Sequence, residues 1–478
     1  MLNARNIFGD TAALAASAAA ATAIRGIVAL ALVRYLGPAD YGALAAAVAL
    51  ATLACYMVDL GTGYNVIRAI SRTPKEAPAH LGNALLATAI ALVALTALLN
   101  GVVWSFDYPS GARMLMPLLG VGLLLQSARA PFHGALRAIG RAGRSAISEG
   151  SGALILGAMC AAGVLLGQPL GYFGVMHLVT GIGGFAVAAA MTLRLLLPRP
   201  RPAALPAFVK AGLPFAASSV FYVIYGQIDT VMLANMRGAA EVGIYSAAYK
   251  LVALMNLVPA ALSAAILPRA FALGPTARNR LRALFGANAR YLAAIAIPVA
   301  ATIGIFAGPI REILMGEAYA GTELLLRILA IQIVLRFLSY APADALYALG
   351  RERSRVAIQG SAAAVNIVLN LMLIPRIGAA GAAIATVATE VLVLALMTRQ
   401  ASLSLGGLGV AASTLRPIAA AAIPIAWLVS NPPIHLLGIA TALLGSGLLY
   451  CIGLFALGFF KESERRRIRE ATVGRLRG

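Results

Sequence analysis

Apolar runs of about 20 residues recur along the whole chain and constrain its fold more than any other feature. A helix needs about 20 apolar residues to cross roughly 30 Å of hydrocarbon, because each residue adds about 1.5 Å. Of the 478 residues, 61% are hydrophobic and only 12% are charged, far from the balance of a soluble domain. The sequence therefore predicts an all-α, polytopic membrane protein and leaves no room for a large soluble catalytic domain.

About fourteen transmembrane helices are expected, separated by Pro, Gly and charged residues. The predicted spans are 10–33, 39–62, 81–103, 112–130, 146–167, 171–193, 212–236, 243–267, 289–309, 322–348, 355–374, 379–398, 415–430 and 435–459. An even number of spans puts both termini on the same side of the membrane.

The basic residues fall mostly in the connections between spans and predict the orientation. The formal net charge is +21, and 29 Lys and Arg residues lie on the side of the termini against five on the opposite side. Cytoplasmic connections of membrane proteins are enriched in these residues. We therefore expect both termini in the cytoplasm, with a basic tail at 461–478 near the lipid headgroups. The charge then requires no nucleic acid as a partner.

Three short patterns recur in the same order along the chain. They are a Gly-x-x-acid-x-Gly turn at 37–42 and 238–243, a Gly-Arg pair at 140–141 and 350–351, and a glycine pair at 171 and 174 and at 378 and 381. The intervals are 201, 210 and 207 residues, which indicates a duplication. Because six spans return the chain to its starting side, both halves would have the same orientation. We predict two parallel six-helix lobes, 1–203 and 204–400, around a central cavity, with two extra helices at 401–460.

Motifs for nucleotide hydrolysis, metal binding and covalent catalysis are missing from the sequence. None of the four lysines follows a glycine, which excludes the Gly-Lys core of a phosphate-binding loop. The four histidines and three cysteines are scattered without metal-ligand spacing. We therefore predict a transporter with no cofactor, metal or nucleotide, and not an enzyme. A membrane glycosyltransferase or polymerase would need a large extramembrane loop with acidic catalytic residues.

Four basic residues fall inside the predicted spans. Arg25 and Arg336 are the most central, and Arg25 lies roughly 20 Å along its helix from either end. An ionised guanidinium at that depth costs at least about 2.5 kcal/mol, so it should face either a hydrated cavity that binds an anion or a paired acid. Lys250 and Arg327 lie nearer the outer boundary, where they either join such a cavity or extend to the interface.

Two acids inside the spans are candidates for both binding and ion coupling. Asp229 shares a helix face with Tyr222 and Tyr225, an arrangement suited either to sugar rings or to interhelical hydrogen bonds. Glu390, at the middle of span 12, is the better candidate for coupling to a proton or sodium ion, with Asp229 the second. Either acid is also a candidate ion-pair partner for the two central arginines.

A family resemblance rests on four segments of the sequence. They are Leu36–Gly42, Asp59–Gly61, Gln227–Leu233 and Glu241–Lys250. With these segments the chain resembles the Wzx-type oligosaccharide flippases of the multidrug, oligosaccharidyl-lipid and polysaccharide exporter superfamily. The resemblance extends over nearly the whole chain and is most specific at 227–250.

The resemblance implies a substrate class and a location. Such proteins move polyprenyl-pyrophosphate-linked repeat units from the cytoplasmic to the periplasmic leaflet of the bacterial inner membrane. They act by alternating access during assembly of lipopolysaccharide O-antigen, capsule or exopolysaccharide, where a polymerase and glycosyltransferases of the same pathway are expected partners. The pyrophosphate would meet Arg25 and Arg336, an assignment that we infer from depth alone. A lipid II flippase of peptidoglycan synthesis and a drug or cation antiporter of the same superfamily remain alternatives.

Overall fold

The computed structural model describes residues 4–59, 61–430, 436–460 and 462, and these ranges contain helices and connecting segments but no β-strand. Sixteen α-helices lie within them. They are α1 (Ala4–Asp59), α2 (Thr62–Arg72), α3 (Ala77–Ser105), α4 (Ser110–Ser127), α5 (Ala130–Ala138), α6 (Ala142–Leu165), α7 (Leu170–Leu193), α8 (Leu205–Arg237), α9 (Ala239–Leu254), α10 (Leu257–Leu273), α11 (Arg278–Ile305), α12 (Ala307–Leu314), α13 (Thr322–Ala348), α14 (Glu352–Leu405), α15 (Val410–Ser430) and α16 (Leu436–Ala456). The basic tail predicted at 461–478 lies outside the described residues except for Glu462.

Ten helical segments of the described chain are long and apolar enough to cross a membrane. Two helices, α1 and α14, contain 56 and 54 residues and are each interrupted by non-helical backbone. At about 1.5 Å per residue, each is long enough for two crossings of roughly 30 Å. With α8 and the shorter α16, the helices correspond to the fourteen spans that the sequence predicts. The all-α, polytopic fold is therefore confirmed.

Glycines mark the interruptions of the two long helices. Gly37 has φ 72 and ψ 173, and Pro38 follows it. Glycine adopts such positive φ values without a steric penalty, and proline removes a backbone donor, so the helix cannot continue through this pair. In α14 the interruption lies at Ile377 and Gly378, where Gly378 has φ 57.

Span 8 is one of the places where the predicted and observed helices differ in continuity, and the helix break at Phe306 within predicted span 289–309 is another. The sequence predicts one helix over 243–267, whereas the structure ends α9 at Leu254 and begins α10 at Leu257. Pro259 explains the break, because its ring would clash with the carbonyl group of Met255 in a continuous helix. The apolar run spans the membrane length all the same.

The residues pack into two compact units that interleave along the sequence. The first comprises Met1–Leu254, Arg311–Leu325 and Gln359–Thr389, and the second comprises Met255–Ile310, Leu326–Ile358 and Glu390–Gly478. This grouping follows packing and does not test the division into lobes at 203 and 400, which stays a prediction.

Small residues bring helices of the first unit into close contact. A Cβ built on Gly181 of α7 would overlap the carbonyl oxygen of Gly122 in α4. Glycines allow backbones to approach closely where apolar side chains gain nothing from leaving lipid. A core that contains Leu81, Phe132 and Phe208 lies elsewhere in the same unit.

Three helices of the second unit pack around a smaller core. Phe306, Leu428 and Ala442 are buried together. The hydroxyl of Tyr450 in α16 donates a hydrogen bond of 2.8 Å to the carbonyl oxygen of Ala294 in α11. The last two helices, α15 and α16, are thus attached to α11 by apolar packing and by this bond.

Two of the three recurring sequence patterns also share their backbone geometry. Gly37 and Gly238 have φ 72 and 87, with ψ 173 and −179. Gly140 and Gly350 have φ 72 and 67, and each is followed by an arginine whose N–H closes the preceding helix with a 2.8 Å hydrogen bond. The third pattern differs, because Gly378 has φ 57 whereas its counterpart in the first half, Gly171, does not have a positive φ. Two matches out of three support a duplication.

Candidate functional site

Three charged side chains of the first unit meet inside the membrane-spanning region. Arg25 of α1 donates a hydrogen bond to Glu149 of α6 and forms an ion pair with it. The other oxygen of the same carboxylate lies 3.5 Å from the guanidinium of Arg129, which follows α4. We call Arg25, Glu149 and Arg129 the charged triad. One carboxylate serves two guanidinium groups, so positive charge is in excess there.

Arg129 is fixed by more than its ion pair. Its Nε donates to the carbonyl oxygen of Gln126 at 2.9 Å and its Nη1 to that of Ser148 at 3.2 Å. Cβ atoms built on Gly152 and Gly184 would lie 3.1 and 2.9 Å from Nη1, so these two glycines leave the room that the guanidinium fills. These acceptors offset part of the cost of burying the charge.

The two arginines of the triad differ in exposure. The side chain of Arg25 is 42% exposed and that of Glu149 29%, whereas only 6% of the Arg129 side chain is exposed. Glu149 lies about 10 Å along α6 from its start at Ala142. The triad therefore sits within the spans, with Arg25 as its accessible member.

A second ion pair lies in the second unit. Arg336 of α13 contacts Glu390 of α14, with 2.9 Å between Nη1 and Oε1. The Glu390 side chain is fully buried, and its Oε2 atom has no hydrogen-bond partner among the described residues. The sequence offers this pair as one of two alternatives for Arg336, and the structure contains it. The partner of Arg25 is instead Glu149, neither of the acids that the sequence suggests.

Asp229 is held by neutral donors from three helices. The hydroxyl of Tyr245 in α9 donates to its carboxylate, the backbone N–H of Thr230 donates at 2.7 Å, and the hydroxyl of Thr386 in α14 lies 3.3 Å away. The Asp229 residue is 3% exposed. The interhelical hydrogen bonds that the sequence offers as one alternative are present. Tyr225 is half-buried on the same helix, and the side chain of Tyr222 lies outside those described.

The remaining basic candidates have no such partners. Lys250 is half-buried and Arg327 is exposed, and neither forms a hydrogen bond or ion pair within the described part of the chain. The candidates divide between the units, with Arg25, Lys250, Asp229 and Tyr225 in the first and Arg336, Arg327 and Glu390 in the second. Within the described ranges no group of three or more His, Cys, Asp or Glu side chains could hold a metal ion.

The two Gly-x-x-acid-x-Gly turns pack against each other within the first unit. A Cβ built on Gly42 would overlap the carbonyl oxygen of Ala239, and one built on Gly243 would overlap that of Pro38. The contacts are reciprocal, because each partner lies 201 residues from its equivalent. We call this contact of residues 38–42 with 239–243 the outer seam, after its side in the predicted topology. Only glycine fits at the two contact points.

Polar contacts surround the outer seam. Glu241 accepts a hydrogen bond of 2.9 Å from the N–H of Ala379, where α14 resumes after its interruption, and lies 3.7 Å from Arg237. An acid at such a helix start is favoured by the helix dipole. The hydroxyl of Tyr319 donates to the carbonyl oxygen of Val33 at 2.9 Å. Burial raises the pKa of Tyr319, so this hydroxyl remains a donor at neutral pH.

The match to a family model covers residues 8–273, more than half of the chain, and the model is described as polysaccharide biosynthesis protein. The chain belongs to this family. A second model, MatE, matches residues 214–372, including the α8–α9 turn and Arg336.

One curated relative carries a flippase name. The probable flippase AglR of Haloferax volcanii is 29% identical to this chain over 200 residues. The match spans 41% of this chain and 40% of AglR. The chain thus matches less than half the length of that relative.

Two solved structures share the fold over most of their length. A lipid II flippase MurJ in an inward closed conformation has a TM-score of 0.73 at 12% identity, over 92% of this chain and 97% of MurJ. An inward-facing multidrug resistance MATE family transporter of the MOP superfamily has a TM-score of 0.69 at 17% identity, over 80% of this chain and 94% of the transporter. At these identities the likeness concerns the fold alone.

Sequence reasoning missed two members of the charged triad. Arg129 falls at the end of the predicted span 112–130 and is one of the 29 bases counted on the side of the termini, although it is almost fully buried. Glu149 is the one acid within the predicted span 146–167. That signal was available, because an acid inside an apolar span requires a partner.

Proposed function

We propose that this protein is a flippase for polyprenyl-pyrophosphate-linked oligosaccharide repeat units. It moves them by alternating access from the cytoplasmic to the periplasmic leaflet of the bacterial inner membrane, with both termini in the cytoplasm. The repeat units serve O-antigen, capsule or exopolysaccharide assembly together with a polymerase and glycosyltransferases. The protein acts as a transporter and not as an enzyme. Membership of the polysaccharide biosynthesis family and the flippase names of its relatives support this proposal.

The charged triad is the observation that carries the proposal. A pyrophosphate needs a cationic contact inside the membrane, and Arg25 is a partly exposed guanidinium in a cluster with excess positive charge. Arginine binds phosphate oxygens in a bidentate manner, which gives both charge and geometry. A carrier of cationic drugs would instead need an excess of acids.

Deletion of the gene tests the proposed function. Lipid-linked repeat units should accumulate in the cytoplasmic leaflet, where a membrane-impermeant sugar-oxidising reagent applied from outside does not reach them. The wild-type gene should restore their exposure, and Arg25→Gln should not. Arg137→Gln is the matched control, because Arg137 is an exposed base outside the triad. Normal surface polysaccharide in a deletion strain without homologues would contradict the proposal.

A lipid II flippase is the second candidate function, supported by the likeness in fold to MurJ. The two functions separate in one experiment. A lipid II flippase should restore growth to cells depleted of their own, whereas a repeat-unit flippase should restore surface polysaccharide and not growth. Rescue of drug resistance alone would instead favour the antiporter alternative.

Coupling to protons or sodium ions would use the two buried acids. Asp229 has neutral donors around its carboxylate, and Glu390 keeps one oxygen without a hydrogen bond to the described residues. Both features suit a group that exchanges a small cation. Asp229→Asn and Glu390→Gln should therefore lose the dependence of flipping on the ion gradient that drives it, and unchanged dependence in both variants would rule out this assignment.

A further inference from the structure

The carboxylate of Glu149 holds its two arginines unequally. Arg129 has two backbone carbonyl acceptors besides Glu149 and fills a space left by glycines. For Arg25, Glu149 is the one hydrogen-bond acceptor among the described residues. Arg129 is therefore fixed in place, whereas Arg25 is 42% exposed and has Glu149 as its one such partner within the part of the chain that the structure describes.

This asymmetry makes the contact between Arg25 and Glu149 exchangeable. A phosphate group that approaches the exposed side of Arg25 competes with Glu149 for the same guanidinium donors, and phosphate binds them in a bidentate manner. When Arg25 turns to the phosphate, Glu149 keeps Arg129 at 3.5 Å as a counter-charge. The exchange therefore leaves no buried charge without a partner. An unpaired buried charge would cost several kcal/mol.

We propose that Glu149 is an internal counter-anion that occupies Arg25 until a phosphate group of the substrate replaces it. Glu149 thus sets how tightly the phosphate group is held and how readily Arg25 lets it go. It acts through Arg25 and is a positioning residue. This inference rests on the proposed function, because it takes a phosphate-bearing substrate as given.

Binding of inorganic pyrophosphate to the purified full-length protein in lipid nanodiscs tests the inference. Glu149→Gln removes the competing anion and should strengthen binding about five- to tenfold, an effect of about 1 to 1.4 kcal/mol. Arg25→Gln should weaken binding about tenfold or more. In the double variant Glu149→Gln should no longer strengthen binding, because its effect requires Arg25.

Two further variants keep the test decisive. Glu76→Gln removes an acid from an exposed pair with Arg201, at 3.3 Å, and should leave pyrophosphate binding unchanged. Glu149→Asp retains a negative charge beside Arg129 but shortens the reach to Arg25, so it should strengthen binding about two- to threefold. This conservative variant answers the question if Glu149→Gln unfolds.

Three results would overturn the inference. Unchanged or weaker binding in folded Glu149→Gln or Glu149→Asp would show that the pair only stabilises the helices. An equal strengthening in the Arg25→Gln background would show a general charge effect. Wild-type protein that does not bind pyrophosphate would overturn the proposed function as well, whereas the first two results leave that function intact.

Discussion

Replacement of Gly42 by alanine should force the outer seam apart. The added methyl group would overlap the carbonyl oxygen of Ala239, which belongs to the backbone and cannot rotate away as a side chain could. The loss would not come from the helix that contains Gly42, because alanine favours a helix over glycine by about 1 kcal/mol. Any destabilisation must therefore arise at the contact between the two turns.

The expected size follows from the cost of overpacking. An extra carbon in a tightly packed contact costs about 1–3 kcal/mol. Since about 1.4 kcal/mol is a factor of ten in an equilibrium constant, the ratio of closed to open seam should fall about 5- to 150-fold. Gly243→Ala should have a similar effect, because it overlaps Pro38 in the reciprocal position.

Labelling of a buried cysteine measures this ratio. Val242 is 0% exposed within the seam, so Val242→Cys should react slowly in intact cells with a maleimide that does not cross the membrane. The background needs Cys55, Cys160 and Cys451 replaced by alanine. With Gly42→Ala added, the labelling rate should rise in proportion to the open population.

Gly101→Ala is the matched control for this experiment. Gly101 lies in α3, and a Cβ built there meets no atom within 4 Å. It therefore gains the same helix propensity without a steric overlap, and labelling at Val242→Cys should not change. If Gly42→Ala leaves the labelling rate within the scatter of the Gly101→Ala control, the seam is not a tight contact and the reasoning fails.

Substitutions test three further polar contacts through thermal unfolding of the purified protein and, for Glu241, through hydrogen exchange. Arg336→Gln should lower the free energy of unfolding by about 3–5 kcal/mol, because Glu390 stays buried without its cation. Adding Glu390→Gln should recover most of that loss. If the single variant is as stable as the double variant, the ion pair does not stabilise the protein. Tyr245→Phe should lower the free energy of unfolding by about 1–3 kcal/mol, because the buried carboxylate of Asp229 loses one of its hydrogen-bond donors. An unchanged melting temperature would show that the Tyr245 hydroxyl is dispensable. Glu241→Ala should lower the free energy of unfolding by about 0.5–2 kcal/mol and increase hydrogen exchange of the Ala379 amide, and Glu241→Gln should have a smaller effect. If the Ala379 amide exchanges equally slowly in both variants, Glu241 does not cap the resumed part of α14.

The spans are predictable from the sequence because the membrane fixes their length. A run of about 20 apolar residues has one stable solution in lipid, a helix with all its backbone groups paired. The division of span 8 at Met255 is harder to predict from the sequence. It depends on the clash of the Pro259 ring with the carbonyl group four residues before it, that of Met255. Interruptions at Gly37 and Gly378 are visible as glycines, although their φ values are not.

The pairing of charges was only partly predictable. Arg336 and Glu390 both lie at the centres of spans, so each needs a partner at similar depth, and their pair is one of the alternatives that the sequence offers. The partner of Arg25 lies 124 residues away in sequence, and no periodicity connects the two positions. Arg129 carries the same charge as the bases that set the orientation, so composition could not distinguish a buried arginine from one in a connection.

The reciprocal fit of the outer seam limits the length of its turns. Each residue of an α-helix is rotated by about 100° from the one before it. A single insertion between Pro38 and Gly42 would therefore turn the glycine away from Ala239 and bring a side chain into its place. The same holds for the equivalent turn after Gly238. An insertion or deletion in either turn would therefore break the reciprocal contact, so the outer seam fixes the length of both turns.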